Sequence, residues 1–224
     1  MNENCTLVSE WMTENQLCLN GDKTHLMVTG TSIRLKKMDI ANTIDIVMDG
    51  FKLEESEERF ETLLGVQVQP DLKWSKHVEE LKSKLKTRLT GLRKTRNFLS
   101  YAFRKTVAEG IFNSVLIYCI PLWGGGDKGD TQDLQILQNQ AAQHVLLLPP
   151  RSNRKMMYDK LDWMSVNQLI FYHSVMTVFK IRLTGEPEYL ADKMGYDNYR
   201  GCLIVRTTAL SFCFCGGDSW PSLP

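Results

Sequence analysis

The aspartates of the first fifty residues are, by type, candidates for holding the metal ions of a phosphoryl-transfer enzyme. Two-metal catalysis needs carboxylates clustered around two divalent ions about 4 Å apart. No candidate has a second carboxylate one or two positions later, and no Asp-Asp pair occurs in the sequence; the candidates are Asp22, Asp39, Asp45 and Asp49. The sequence therefore predicts neither catalytic residues nor metal ligands for this chemistry.

The cysteines near residue 210 leave one weaker alternative, a structural zinc site. Cys213 and Cys215 lie in a C-x-C pattern with Cys202 upstream, but no C-x-x-C occurs and the nearest histidine is His173. Structural zinc sites normally use four well-spaced ligands. We therefore expect no metal here, and the four histidines show no nucleophile–base pattern.

Basic residues dominate the segment from 72 to 106, where eleven lysines and arginines face two glutamates. The segment from 39 to 61 is acidic, with eight carboxylates against two bases, so the net charge of +1 averages two opposite blocks. An excess of this size cannot be neutralised by pairing within the segment. It favours contact with phosphates over an ordinary solvated helix face.

Composition and hydropathy are those of an ordinary globular chain. Of its 224 residues, 43% are hydrophobic and 24% are charged. No signal-peptide pattern opens the sequence and no apolar run is long enough to span a membrane. With six scattered cysteines, we expect an intracellular protein with reduced thiols and no membrane partner, in the cytoplasm or the nucleus.

The first seventy residues predict a small α+β segment. Apolar spacing indicates a helix over 5–16, and Asn20-Gly21-Asp22 predicts a hairpin turn. Alternation predicts a strand over 44–48, which Asp49-Gly50 turns into a second strand over 51–53, and a further strand over 60–68. Leu17, Leu19, Ile44, Ile46 and Phe60 form its expected apolar face.

After residue 72 the periodicity becomes helical. An apolar residue recurs every three or four positions from Trp74 to Leu92, which predicts an amphipathic helix of about six turns. Further helices are predicted from Phe103 to Pro121, from a cap at Asp130 or Thr131 to Pro149, and from a capping box at Ser165 and Gln168. Trp74, Trp123 and Trp163 are expected as core anchors. The predicted fold class is α+β, mostly helical: 1–71 hairpins, 72–183 helical, 184–224 an irregular tail.

The order of these pieces carries a resemblance to a known family. A helix with a tryptophan precedes NQLCLNGDKTHLM, and then follow, in order, FETLLGVQVQPDLKWSKHVEELKSKL, LRKTRNFL, IFNSVLIYCIPLWGGG and LQILQNQAAQHVL. This run resembles the late palm motifs and the thumb of the reverse transcriptase of non-LTR (LINE-type, jockey-like) retrotransposons. LDWMSVNQLIFYHSVMTVFKIRLTGEPEYL resembles the region after the thumb, and SWPSLP resembles the closing motif.

The resemblance implies a fold and roles for individual residues. Residues 1–71 correspond to part of the palm after the catalytic hairpin, 72–183 to the thumb and connection, and the palm and fingers that precede them are the expected packing partner. Lys23 corresponds to a lysine near the incoming nucleotide, and Leu64 and Gly65 to the turn that grips the primer, although Leu63 replaces the usual aromatic. The catalytic aspartates and their Mg²⁺ are implied upstream, so this chain is expected to be inactive on its own, without a cofactor.

Template–primer binding is the activity that the resemblance leaves to this chain. The implied partner is RNA or an RNA–DNA duplex, contacted through the phosphates. The candidate residues are the bases of the first long helix and of the segment after it: Lys76, Lys82, Lys84, Lys86, Arg93, Lys94, Arg104 and Lys105. The alternative is a decayed or domesticated helical module that binds a protein and no nucleic acid.

Overall fold

The chain folds as a mostly helical α+β protein, as the sequence predicts. The computed structural model describes residues 2–37, 45–48, 50–53, 60–193, 202–206 and 211–215. Ile44, Asp49 and the closing motif at 219–224 lie outside these residues. The chain divides into two compact units, Met1–Glu80 and Leu81–Pro224. The division into palm, thumb and tail stays a prediction.

The first unit contains short elements. Among its described residues the helices are α1 (Asn2–Glu14) and α2 (Ser32–Lys37), and the strands form two separate antiparallel hairpins. One hairpin pairs β1 (Val47–Met48) with β2 (Phe51–Lys52), as predicted, and the other pairs β3 (Glu61–Leu63) with β4 (Val66–Val68). On α1, Leu7, Val8 and Trp11 are exposed and Met12 is half-buried, so the predicted helix forms with most of its apolar face exposed.

The predicted hairpin at Asn20-Gly21-Asp22 is wrong. Gly21–Lys23 forms a 3-10 turn, and no strand ladder flanks it within residues 17–28. A type I′ turn requires positive φ at both central residues, whereas Asn20 has a φ of −97° and Gly21 is not among the residues with positive φ. A Cβ on Gly21 would lie 2.8 Å from Cδ1 of Phe51. The glycine therefore permits close packing of the Phe51 ring.

The single strand predicted over 60–68 is instead a hairpin. Leu64 and Gly65, with φ of 49° and 81°, form its two-residue turn, and Leu63 pairs with Val66. Positive φ at both positions defines a type I′ turn, which suits Gly65 and is strained at Leu64. The apolar pattern continues through the turn, which explains why it predicts one strand.

Helix α3 (Ser75–Thr95) is the predicted six-turn helix. Gln69 helps to start it, because its Oε1 accepts hydrogen bonds from the Lys76 backbone N–H at 2.9 Å and from the Ser75 hydroxyl at 3.0 Å. These bonds satisfy a donor at the helix N-terminus. Its buried face carries the predicted apolar positions: Val78, Leu81, Leu85, Leu89 and Leu92.

The second unit is built from helices. Helix α4 (Tyr101–Ala108) continues through a π-helical turn (Glu109–Asn113) into α5 (Ser114–Ile117), and α6 (Ile120–Trp123) follows. Helices α7 (Lys128–Leu146), α8 (Arg154–Leu161), α9 (Val166–Thr184) and α10 (Glu188–Lys193) follow in the sequence. Trp123 and Trp163 are buried as predicted, and Trp74 of the first unit is half-buried.

The helix ends show which sequence signals are reliable. Ser165 and Gln168 form the predicted capping box at the start of α9. The predicted cap at Asp130 or Thr131 is wrong: Asp127 caps α7 by accepting a hydrogen bond from the Gly129 backbone N–H at 2.8 Å. Helix α8 is absent from the sequence prediction, although Asn153 caps it. Beyond residue 184 the expected irregular tail contains α10 and an antiparallel pair of strands, β5 (Cys202–Arg206) and β6 (Ser211–Cys215).

A buried polar network joins α7 to the two helices that follow it. Gln138 is 1% exposed; its Nε2 donates to the Met164 carbonyl at 3.0 Å and its Oε1 accepts from the Tyr158 hydroxyl at 2.9 Å. Gln135 donates to the same hydroxyl and accepts from the Val166 N–H. Burial raises the pKa of Tyr158, which therefore stays a neutral hydrogen-bonding group. The network fixes the start of α9 against α7.

Replacing either of two glycines of the second unit by alanine should change the free energy of unfolding, in opposite directions at the two positions. A Cβ on Gly124 would lie 2.6 Å from the Ile120 carbonyl oxygen and 2.8 Å from Cγ1 of Ile170, whereas a Cβ on Gly91 meets no atom within 4 Å. We expect Gly124→Ala to lower the free energy of unfolding by about 1–3 kcal/mol through overpacking. Gly91→Ala should raise it by about 0.5–1 kcal/mol, because alanine favours a helix interior. Urea unfolding of both variants measures this, and a destabilised Gly91→Ala would contradict the packing described.

Candidate nucleic-acid interface

Most basic side chains of α3 lie on its solvent-exposed sides. Within the second unit the exposed bases of the helix are Lys84, Lys86, Arg88, Arg93 and Lys94. The leucine face is buried, so the bases are distributed around the remaining circumference. The predicted set therefore does not form one stripe, and the contacts of each base decide whether it is free to meet a ligand.

Lys82 is held in an ion pair between α3 and α7. Its Nζ lies 2.7 Å from an oxygen of Asp130 and 2.7 Å from an oxygen of Asp133. Burial alone would lower the pKa of Lys82, but its hydrogen bonds to the two carboxylates outweigh burial and raise the pKa. The hydrogen bond from Lys82 lowers the pKa of Asp133. Lys82 thus joins the starts of two helices, and its predicted phosphate contact would compete with two carboxylates.

Arg104 is occupied by backbone carbonyls. Its Nε donates to the Val145 carbonyl at 2.7 Å, and its Nη1 donates to the carbonyls of Leu99 at 2.5 Å and Arg96 at 3.3 Å. These acceptors lie just past the end of α3 and in the last turn of α7, where helical carbonyls lack intrahelical partners. The half-buried guanidinium of Arg104 therefore holds the two helix ends together, and its predicted contact with nucleic acid would compete with three carbonyls.

The two helix ends held by Arg104 bring Arg96 beside His144. Arg96 Nη1 lies 3.2 Å from His144 Nδ1. Because a guanidinium only donates, Nδ1 must accept and Nε2 carries the proton of a neutral imidazole. Burial first, and then the charges of Arg96 and Arg93, lower the pKa of His144. The neutral imidazole can donate a hydrogen bond from Nε2 and adds no further positive charge beside Arg96 and Arg93.

Four residues form what we call the basic edge: Lys86, Arg93, Arg96 and His144. Lys82 contacts Asp130 near the starts of α3 and α7, and Arg96 contacts His144 near their ends, so the two helices run in the same direction.

The spacing of the bases along the edge suits contact with more than one phosphate. Lys86 and Arg93 are seven residues apart on α3, a rise of about 10 Å, which is longer than the distance between neighbouring phosphates of one strand. The pocket beside Arg96, Arg104 and His144 has a volume of only about 10 Å³. An anion must therefore bind on the surface of this edge.

The remaining predicted residues lie elsewhere. In the first unit, Lys76 Nζ lies 3.6 Å from Glu79 and 5.6 Å from the centre of the Phe60 ring. Lys23 is exposed in the 3-10 turn, and Leu64 and Gly65 form the exposed tip of the β3–β4 hairpin. In the second unit, Lys105 is half-buried and lies 3.8 Å from Glu109. The roles of these residues stay predictions.

Arg96 and His144 are the members of the basic edge that sequence reasoning misses. Arg88 and Arg96 belong to the same basic run as the predicted residues, so charge alone could have included them. His144 carries no such signal, because its partner Arg96 is 48 positions away. Only the packing of α3 beside α7 creates this contact.

Two negative findings apply to the part of the chain that the structure describes. No group of three or more histidine, cysteine, aspartate or glutamate side chains is arranged there to hold a metal ion. None of its helices combines the length and the apolar character needed to cross a bilayer. Cys202 and Cys215 are cross-strand partners in the β5–β6 pair.

The class of this protein is defined here by its fold, which is mostly helical α+β. No family model matches the chain, and neither the curated proteins nor the solved structures contain a match.

The unusual state of His144 can be measured directly. We expect its imidazole to titrate below 6.5 in the folded chain, and Arg96→Gln to raise this pKa because one neighbouring charge is removed. Since the folded-state pKa is lowered, unfolding becomes more favourable as the pH falls from about 6.5 to the folded-state value. NMR titration of the imidazole measures the shift. Lys94→Gln is the control with the same change of charge, and a wild-type pKa above 6.5 would contradict the contact.

Proposed function

We propose that the chain corresponds to the late palm and thumb of a non-LTR retrotransposon reverse transcriptase, and that its second unit binds the phosphate backbone of an RNA or RNA–DNA duplex. The ordered run of motifs from NQLCLNGDKTHLM to LQILQNQAAQHVL supports the family assignment. A long basic helix after residue 72 and an exposed Leu64-Gly65 turn are compatible with it.

The basic edge is the observation that carries duplex binding. Lys86 and Arg93 are exposed and Arg96 is half-buried, and no ion pair joins any of them to a carboxylate among the described residues. The acids nearest along α7, Asp130 and Asp133, share the single charge of Lys82, and the charge of Lys86 also helps to lower the pKa of Asp133. The three positive charges of the edge therefore outweigh the one carboxylate charge that Lys82 leaves unbalanced, and phosphate neutralisation by such charges supplies most sequence-independent affinity.

The proposal assigns no chemistry to this chain. Synthesis of DNA requires aspartates and Mg²⁺, which the resemblance places in residues preceding the helix around Trp11 in the parent family. Lys23 would contribute only alongside them. We place the protein inside the cell, in the cytoplasm or the nucleus, because its proposed ligand is found there.

Salt dependence tests duplex binding most specifically. We expect the affinity of the full chain for a duplex RNA to fall steeply with salt, with the three charges of Lys86, Arg93 and Arg96 contributing up to about three to the log–log slope. The triple variant Lys86→Gln/Arg93→Gln/Arg96→Gln should lower both the affinity and that slope. Fluorescence anisotropy over a salt series measures both quantities.

The matched control removes three charges from another exposed surface of the same unit. Arg154, Lys155 and Lys160 of α8 are exposed, and their triple change to glutamine should leave the slope nearly unchanged. Equal losses in the two triple variants would show that net charge acts without a defined edge. Undetectable binding by the wild-type chain at low salt would refute the proposed function.

A second candidate, protein binding, is favoured by an apolar stripe on α9. The stripe consists of Tyr172, Met176, Phe179 and Leu183, which recur at helical spacing and are 44%, 44%, 59% and 75% exposed. Of the apolar face expected in the first unit, Leu17 is 51% exposed and Ile46 is 6% exposed. Exposed apolar surface of this kind marks an interaction site. The second unit, more than the first, therefore supports this alternative.

Self-association of the chain tests whether the apolar stripe on α9 binds protein. We expect the wild-type chain to associate with increasing concentration, and Phe179→Asp/Leu183→Asp to be monomeric with unchanged duplex binding, because the changes introduce charge into the stripe. Sedimentation velocity measures the distribution, and Lys180→Asp on the same helix is the control. A wild-type chain that remains monomeric at every concentration would remove the support for this candidate.

A further inference from the structure

The second unit contains a cleft that duplex binding does not use. Its volume is about 300 Å³, and it lies among the π-helical turn, the end of α8 and the start of α9. The lining residues that carry polar or aromatic groups are Glu109, Asn113, Gln138, Asp162, Trp163, Tyr172 and His173. This size is at the lower end of ligand-binding pockets. We call it the Trp163 cleft.

Local backbone features place these side chains. The π-helical turn Glu109–Asn113 interrupts the α4–α5 helix, and Glu109 and Asn113 at its two ends both line the cleft. Turns of this type occur frequently at functional sites. Asp162 ends α8 in the left-handed region, with a φ of 56°, and directs the chain into Trp163. The capping box at Ser165 then starts α9, which supplies Tyr172 and His173.

The cleft offers more hydrogen-bond acceptors than donors. Asn113 Oδ1 is buried and, among the residues that the structure describes, has no hydrogen-bond partner. Glu109 accepts a hydrogen bond from the Trp163 indole N–H at 3.0 Å and lies 3.8 Å from Lys105. The exposed carboxylate of Asp162 forms no ion pair with a described residue. A buried acceptor without a donor is costly unless a ligand supplies one.

We propose that the Trp163 cleft binds an organic cation, an alkylammonium or guanidinium group such as the end of a lysine or arginine side chain. Two carboxylates, Glu109 and Asp162, against the one base Lys105 give the cleft a negative balance. The rings of Trp163 and Tyr172 favour a cation that also has an apolar stem. Such a ligand brings N–H donors to the acceptors of the wall, and an anion or a phosphate would meet carboxylates instead.

Small probes test the cleft in the full chain. N-acetyl-arginine methylamide and N-acetyl-lysine methylamide separate guanidinium from ammonium, and N-acetyl-citrulline methylamide is the neutral match for arginine. We expect at least one cation to bind with a dissociation constant of about 1 mM and to shift the NMR signal of the Trp163 indole N–H. Citrulline should bind roughly three- to tenfold more weakly. Trp163→Phe identifies the signal.

Charge variants connect the binding to the cleft. Asp162→Asn keeps a residue that tolerates the left-handed region, and Glu109→Gln keeps an acceptor for Trp163. Each should weaken the cation roughly three- to tenfold, whereas Asp159→Asn, an exposed position of α8 outside the cleft lining, should not. Preference for one cation over the other identifies the group and supports the proposal. No shift with either cation, equal binding of citrulline, or an equal loss in Asp159→Asn overturns it, and none of these outcomes depends on duplex binding.

Discussion

The three hydrogen bonds of Arg104 determine the geometry on which the proposed interface depends. Its guanidinium reaches the carbonyls of Arg96 and Leu99 after α3 and that of Val145 in α7. Helix ends leave carbonyls without partners, and a buried guanidinium can satisfy several of them at once. Hydrogen bonds to a charged group stabilise by about 1.5–3 kcal/mol each. Arg104 therefore holds the C-terminal end of α3 in a fixed position beside α7.

Once those ends are fixed, the electrostatics of the edge follow. At the other end of the two helices Lys82 pairs with Asp130 and Asp133, and between the ends Lys86 and Arg93 lie on α3 without an ion pair to a described carboxylate, although the charge of Lys86 helps to lower the pKa of Asp133. His144 stays neutral because burial and two arginines oppose its protonation, although the C-terminal end of a helix normally favours a cation. A phosphate at this edge would reverse the balance, since a neighbouring anion favours the imidazolium.

The sequence predicts those features that depend on neighbouring residues. Helix α3 follows from its leucine spacing, and the capping box at Ser165 from a four-residue pattern. The predicted hairpin at Asn20-Gly21 is wrong. The glycine at position 21 leaves room for the ring of Phe51, thirty positions away, and a local pattern cannot show this contact. The π-helical turn and the contact between Arg96 and His144 leave no local pattern. Of the predicted bases, Lys86 and Arg93 belong to the proposed edge, whereas Lys82 and Arg104 stabilise the fold. The sequence could not separate these two groups, because it shows which residues are charged but not which residues they contact.

The pKa of His144 with and without a bound duplex tests the central claim most directly. A phosphate seated beside Arg93 and Arg96 must raise the pKa of this imidazole, because it offsets the charges that lower it in the free chain. NMR titration of the imidazole in the presence of saturating duplex RNA at low salt measures the change. The account predicts a pKa higher than in the free chain. An unchanged pKa in a chain that binds the duplex would place the interface elsewhere and contradict the account.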